Sequence, residues 1–146
     1  AGIINDFMYE NFNDGSDLSE ALYSSFLGPA WAEEILKFII LYFVVLRRNE
    51  FNEPMDGIVY GVTVSLGFAT YENYDYVFRL AELWEIDPYQ LAIWRSYSAI
   101  PLHGLNGCIM GFYFGMYSFT ANKKYLILCL LIPYLIHLEF HLLYLT

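Results

Sequence analysis

The chain has 146 residues, room for one domain. Apolar residues make up 58% and aromatic residues 20%, a richness that sets it apart from ordinary soluble proteins. The net charge of −9 comes without any basic tract, which argues against nucleic acid as a partner.

Residues 1–28 carry Asp6, Glu10, Asp14, Asp17 and Glu20 and no basic residue. Asn13-Asp14-Gly15-Ser16 reads as a turn. Asp17 can cap a following helix, with Glu20 three residues on. Leu18, Ala21, Leu22, Ser25 and Phe26 then share a face, as in a short amphipathic helix at a membrane interface. The start, Ala1-Gly2, shows no signal-peptide pattern, and the chain is compatible with a trimmed or partial one.

Gly28-Pro29 opens the first expected span, Pro29 to Arg47, about 28 Å of helix at the standard rise and close to the hydrocarbon thickness of about 30 Å. It begins with Trp31-Ala32-Glu33-Glu34-Ile35-Leu36-Lys37. Glu33 and Glu34 lie four and three residues before Lys37, so acid and ammonium share one helix face. Charge inside a span is costly and by default marks function. After a polar loop, Arg48 to Pro54, the second span runs from Met55 to about Arg79. Gly57, Gly61, Ser65 and Ala69 recur every four residues along it, a close-packing seam, and Glu72 follows.

Arg79 to Gln90 is an acidic loop, and Pro88 suits the start of the next helix. The third span reaches from Leu91 or Ile93 to Phe119. It holds Arg95, Pro101, His103 and a second expected seam of Gly104, Gly107, Gly111 and Gly115, with a hinge expected at Pro101. Ala121 to Lys124 is a turn. The fourth span, Tyr125 to Leu145, contains Pro133, His137, Glu139 and His141. Cys108 and Cys129 sit in apolar stretches without ligand spacing and read as small buried hydrophobes.

If four spans alternate, Arg47-Arg48 and Lys123-Lys124 fall on one side, which the positive-inside bias makes cytoplasmic. Glu33, Glu34, Glu72, His103, His137 and His141 then share the outer half of the bilayer. Two chemistries suit that set. In one, His137 and His141, at i and i+4, hold a divalent metal such as Zn2+, with Glu72 and His103 completing the shell and Glu33 or Glu34 as general base. In the other no metal takes part: a buried glutamate activates water and a histidine polarises the scissile carbonyl. Bland readings stand beside these. Glu33, Glu34 and Lys37 neutralise one another, Glu72 pairs with Arg95, and His103 is a hydrogen-bonded core histidine. Glu139 points away from both histidines by helical phase.

Glu33-Glu34-x-x-Lys37, Pro54-Met55-Asp56-Gly57-Ile58-Val59-Tyr60-Gly61 and Gly67-Phe68-Ala69-x-x-Glu72-Asn73 resemble the PrsW family of membrane proteases. Arg95, Pro101-Leu102-His103 and Gly107 fit the same pattern, and the likeness runs from about Pro29 to about His141. That family belongs with the type II CAAX prenyl endopeptidases. The resemblance implies that Glu33, Glu34 and Lys37 are catalytic and that Glu72, His103 and His137 complete the site. It also implies a first, outer-side cut of a membrane-bound anti-sigma factor. Position 141 departs from it, with His where the pattern usually reads Asp or Asn.

The expected fold is an all-α, polytopic membrane bundle. Residues 1–28 form the acidic segment with its interfacial helix, and residues 29–146 a catalytic core of four transmembrane helices. The expected function is an intramembrane peptidase in the cell membrane, its site towards the extracytoplasmic side and its partners the bilayer and a membrane protein or peptide substrate. A non-catalytic polytopic binding or immunity protein of the same fold is the alternative.

Overall fold

The computed structural model describes residues 29–145, so the expected interfacial helix lies outside the described residues. Those residues are helical throughout apart from short turns and loops. The long elements are α1 (Pro29–Phe43), α2 (Pro54–Asp75), α3 (Pro88–Tyr97), α4 (Ala99–Thr120) and α5 (Lys123–Leu145).

Local chemistry explains most of the boundaries. Helix α2 starts at Pro54, where a missing N–H costs nothing. Asp56 Oδ2 accepts from the backbone N–H of Glu53 at 2.8 Å and of Asn52 at 2.9 Å, holding the first turn. Helix α3 starts at Pro88 as expected, and the Asp87 side chain accepts from the N–H of Tyr89 at 3.1 Å. The expected single helix from Pro29 to Arg47 is instead α1 followed by a tighter turn, Val45–Arg47, a usual way for a helix to end.

A second correction concerns the hinge. The third expected span is broken at Ser98, with φ −115° and ψ −73°, and not at Pro101. Pro101 is the cause all the same. Its ring clashes with the carbonyl four residues earlier, so the chain breaks ahead of it. Pro101 then sits in the first turn of α4, where no intrahelical donor is required.

Helices α2 and α4 run antiparallel and touch backbone to backbone. Gly57, Gly61, Ser65 and Ala69 are buried, as are Gly107, Gly111 and Gly115 opposite. A methyl group on Gly61 would lie 2.7 Å from Gly111 Cα, and one on Gly107 would lie 2.6 Å from Ser65 Cβ. Gly104, expected on this seam, is off it: a methyl group there would meet only Leu66, at 3.8 Å. Ser65 Oγ donates to the carbonyl of His103 at 2.6 Å, carrying the close contact up to the site. Below it, Leu41, Val45, Met110, Phe114 and Cys129 form the apolar core that joins α1 and α5 to α4. Neither cysteine is in a disulfide; Cys129 is buried and Cys108 half-buried.

Among the described residues one stretch, Lys123–His141, is long and apolar enough by itself to cross a bilayer. The 15 residues of α1 extend only about 22 Å at the helical rise.

Gly61→Leu and Gly107→Leu should each cost at least the roughly 1–3 kcal/mol typical of overpacking, because backbone and not a flexible side chain blocks the space. Gly67→Ala, where the added methyl group meets nothing within 4 Å, should hold or raise stability. Thermal unfolding and monodispersity in detergent check this, and a Gly107→Leu protein as stable as the parent would refute the seam.

Candidate functional site

Four helices deliver charged side chains to one level just beyond the glycine seam. Helix α1 supplies Glu33, Glu34 and Lys37, which its periodicity turns to one face, and α2 supplies Glu72. Helix α4 supplies His103, on the same every-four stripe as Gly107 and Gly111, and α5 supplies His137 and His141. Because α2 and α4 are antiparallel, the register that sets Gly61 against Gly107 and Ser65 against His103 also brings Glu72 to the start of α4.

Lys37 is the hub. Its side chain is 1% exposed, and its Nζ donates to Glu34 Oε1 at 2.8 Å. The same ammonium lies 3.1 Å from His103 Nδ1 and 5.8 Å from the centre of the Phe68 ring. An ammonium has only protons to give, so His103 Nδ1 accepts. A neutral His103 then carries its proton on Nε2, which lies 3.0 Å from Glu72 Oε2 and donates to it. Glu72 Oε2 is also 2.7 Å from Arg95 Nη2, while Arg95 Nε donates to Asn73 Oδ1 at 2.5 Å. The Arg95 guanidinium lies over the Tyr76 ring at 3.8 Å, and Tyr76 opens the wide helical turn Tyr76–Leu80 that ends α2. On the other flank His137 Nδ1 is 2.8 Å from Glu34 Oε1. With Glu34 a carboxylate, Nδ1 is the donor and the Nε2 lone pair of a neutral His137 stays available.

One carboxylate stands apart from this chain of bonds. Glu33 is buried, its Oε2 has no hydrogen-bond partner, and that atom is 4.0 Å from both Lys37 Nζ and His103 Nε2. Glu33, His103 and His137 together offer three ligand atoms within 4.8 Å of one another. Two imidazoles and a carboxylate are a donor set that suits zinc and related divalent ions. Glu34, on His137 Nδ1, supplies the carboxylate support usual for a histidine that binds metal through Nε2. At His103 the carboxylate of Glu72 meets Nε2 itself, so a cation there would require that proton to leave or to move to Nδ1, where Lys37 now donates.

Of the residues expected in a metal shell, His103 and His137 meet in this group. Glu72 is engaged by Arg95 and His103. His141 stacks on His137, with ring centres 5.0 Å apart at 25°, and lines a neighbouring cavity. Glu33, expected as a base, comes within reach of both imidazoles. Glu139 is exposed, as its helical phase implied. The bland pairing of Glu72 with Arg95 is present in full, and it holds part of the site. Sequence reasoning passed over Asn106. Its Nδ2 donates to the carbonyl of Pro133 at 3.1 Å and lies 3.5 Å from Glu34 Oε1, tying α4 to α5 beneath the site. A lone asparagine among glycines and apolar residues was the available signal.

Comparison with known proteins gives a consistent result. The family described as PrsW family intramembrane metalloprotease matches residues 1–145. A relative named Protease PrsW from Geobacillus kaustophilus is 41% identical over 115 residues, covering 77% of this chain and 48% of the relative. Those of the same name from Clostridioides difficile and Bacillus subtilis are 37% and 40% identical, covering 86% and 88% of this chain and 53% and 55% of the relatives. The chain thus spans about half the length of the curated relatives it matches. No solved structure matches.

Arg95→Gln should destabilise the protein by roughly 1–3 kcal/mol, since it takes the guanidinium partner from a half-buried Glu72 carboxylate. Adding Glu72→Gln to that variant should recover part of the loss. A double-mutant cycle on unfolding free energies measures the coupling. Strict additivity would mean that the pair does not hold the site.

Proposed function

The chain belongs to the PrsW family of intramembrane metalloproteases, and from that premise we propose that it is the catalytic core of a membrane-embedded peptidase. The observation that carries this reading is the unpartnered, buried Glu33 Oε2 beside two imidazoles, one of them, His137, backed by a carboxylate on its other nitrogen. A fold kept only for binding or immunity would have no need of a buried carboxylate oxygen without a donor, which costs free energy unless a ligand or a proton completes it.

In this reading His103 and His137 would hold a divalent cation, which would supply Lewis-acid polarisation of the scissile carbonyl. The remaining work falls to side chains of this chain. Glu33, the carboxylate beside the imidazoles that no donor engages, accepts a proton from water. Glu34 fixes the tautomer and orientation of His137. Glu72, itself held by Arg95, sets the orientation of the His103 ring from the opposite flank. Lys37 is the counter-ion of Glu34 and holds α1 against α4. Helix α4 and its glycines keep these groups within about an ångström of their places, the tolerance that positioning demands.

The substrate we propose is a membrane-tethered protein of the anti-sigma-factor kind, with α1, α2, the α3–α4 pair and α5 as four spans of residues 29–146. Arg47-Arg48 and Lys123-Lys124 at one end of the bundle support a cytoplasmic position for that end and an extracytoplasmic position for the site. A helical peptide bond already has its hydrogen bonds made, so the bond to be cut must be unwound. Cleavage then falls at or just outside the outer boundary of the substrate's span.

Glu33→Gln in the full-length protein should lower turnover of a single-span reporter by at least about 100-fold, the lower bound of a general-base contribution. Its melting temperature should scarcely move, because Glu33 Oε2 gives up no hydrogen bond. Glu34→Gln should lower turnover as well but also cost several kcal/mol, roughly 3–5, because Lys37 loses its buried counter-ion. Metal analysis of purified protein should find a divalent ion in the parent and its loss in His103→Ala. Full activity in Glu33→Gln would remove Glu33 from the mechanism, and a metal-free, fully active parent would remove the cation.

A further inference from the structure

Beside the charged cluster lies a cavity of about 380 Å³. His103, His137 and Glu72 form its inner end. Its walls are Ile86, Trp94, Ala99, Leu102 and Phe140, drawn from the segment before α3, from both sides of the Ser98 break and from α5. Ser98, where α3 gives way to α4, is itself in the lining, with Trp94 on one side of it and Leu102 on the other.

We propose that this cavity is a specificity subsite that takes one bulky apolar side chain, aromatic or branched aliphatic, from an unwound substrate segment beside the bond to be cut. The inference rests on the peptidase reading above and adds what that enzyme selects. Three observations carry it. His103 and His137, two of the three groups that could hold a metal, line the cavity, so a side chain within it places its own backbone beside them. Its size is at the lower end for ligand sites, which run from about 300 to 1,000 Å³. The ion pair that faces it is already matched: Arg95 with Glu72 and Asn73, and Glu72 also with His103. The imidazoles of His137 and His141 line it as well, stacked on each other. Ser98 Oγ donates to the carbonyl of Trp94 at 2.8 Å. An acidic or basic substrate side chain would lose its hydration and find Arg95 and Glu72 taken.

The probe is a single-span reporter carrying the photocrosslinker benzoylphenylalanine at one of several successive positions around the outer end of its span. The protein is the full-length chain with Glu33→Gln, in lipid vesicles, so that binding is read without turnover. We expect crosslinks to Trp94 or Phe140 from one or two adjacent positions, competed by a reporter with Phe at that position and not by one with Asp. Crosslinks confined to other surfaces, or equal competition by Phe and Asp, overturn the proposal. In the active protein, reporters with Phe or Leu there should exceed an Ala reporter in kcat/KM by about 10–200-fold, the span that small differences in apolar contact produce. Leu102→Trp, which fills the cavity, should abolish that preference while sparing the Ala reporter. Trp94→Ala, at an exposed wall position 63% accessible, should weaken it without threatening the fold. A uniform loss for all reporters in both variants would overturn the subsite. Crosslinking at Trp94 in a parent protein that cleaves no reporter would support the cavity as a binding site and overturn the peptidase reading instead.

Discussion

A lysine ammonium held almost wholly out of contact with solvent is the constraint on which the rest of this structure depends. Lys37 has 1% exposure and needs an opposite charge and hydrogen-bond acceptors within a few ångströms. Glu34, on its own helix, supplies the charge, and His103, 66 positions later, supplies an acceptor. Satisfying that one cation therefore commits α1 to α4. The shared Glu34 Oε1 commits α5 through His137. On the opposite side His103 passes the demand to Glu72 and Arg95, which brings in α2 and α3. Signs alternate along the chain of contacts, so each buried charge has a partner of opposite sign or an imidazole that matches it.

Such a network tolerates little displacement, and the glycine seam is what grants it a rigid base. The antiparallel α2–α4 contact excludes even one methyl group at Gly61 or Gly107. A slip by one helical turn would require side chains where there is room only for hydrogen. The register of Glu72 against His103 is thus set several turns away by van der Waals contact, and the ionic contacts need only complete a geometry already imposed. The same logic explains the bend at Ser98. Pro101 takes a backbone hydrogen bond away from the helix, and the break at Ser98 lies between Arg95, which reaches Glu72, and Leu102 on the wall of the apolar cavity.

Glu33 sits differently in this cluster. Its Oε2 is buried without a hydrogen-bond donor, 4.0 Å from Lys37 Nζ and from His103 Nε2. Glu34 Oε2 is likewise buried without a donor, although its Oε1 takes Lys37 and His137. Buried carboxylate oxygens without donors cost free energy, and groups of this kind gather at functional sites.

Much of this was legible in one dimension because helix periodicity is local. The fours and threes between Glu33, Glu34 and Lys37, the every-four recurrence of Gly57, Gly61 and Ser65, and Pro88 at a helix start follow from 3.6 residues per turn and from backbone sterics alone. Those same rules put His137 and His141 on one face, yet only tertiary packing decided that His137 meets His103 and Glu33 while His141 stacks behind it on the cavity wall. Spacing within a helix cannot express where a second helix lies. It equally could not say that Pro101 would break the chain at Ser98 rather than bend it in place, since that depends on what the freed backbone and side chains find nearby. Nor could it tell Gly104, which has room for a methyl group beside Leu66, from Gly107, which faces a backbone. The sequence by itself determined which residues share a face and that charge would be buried; the contact between α2 and α4 decided which of those charges meet, because the distance between two helices is fixed by the smallest side chains that both of them offer.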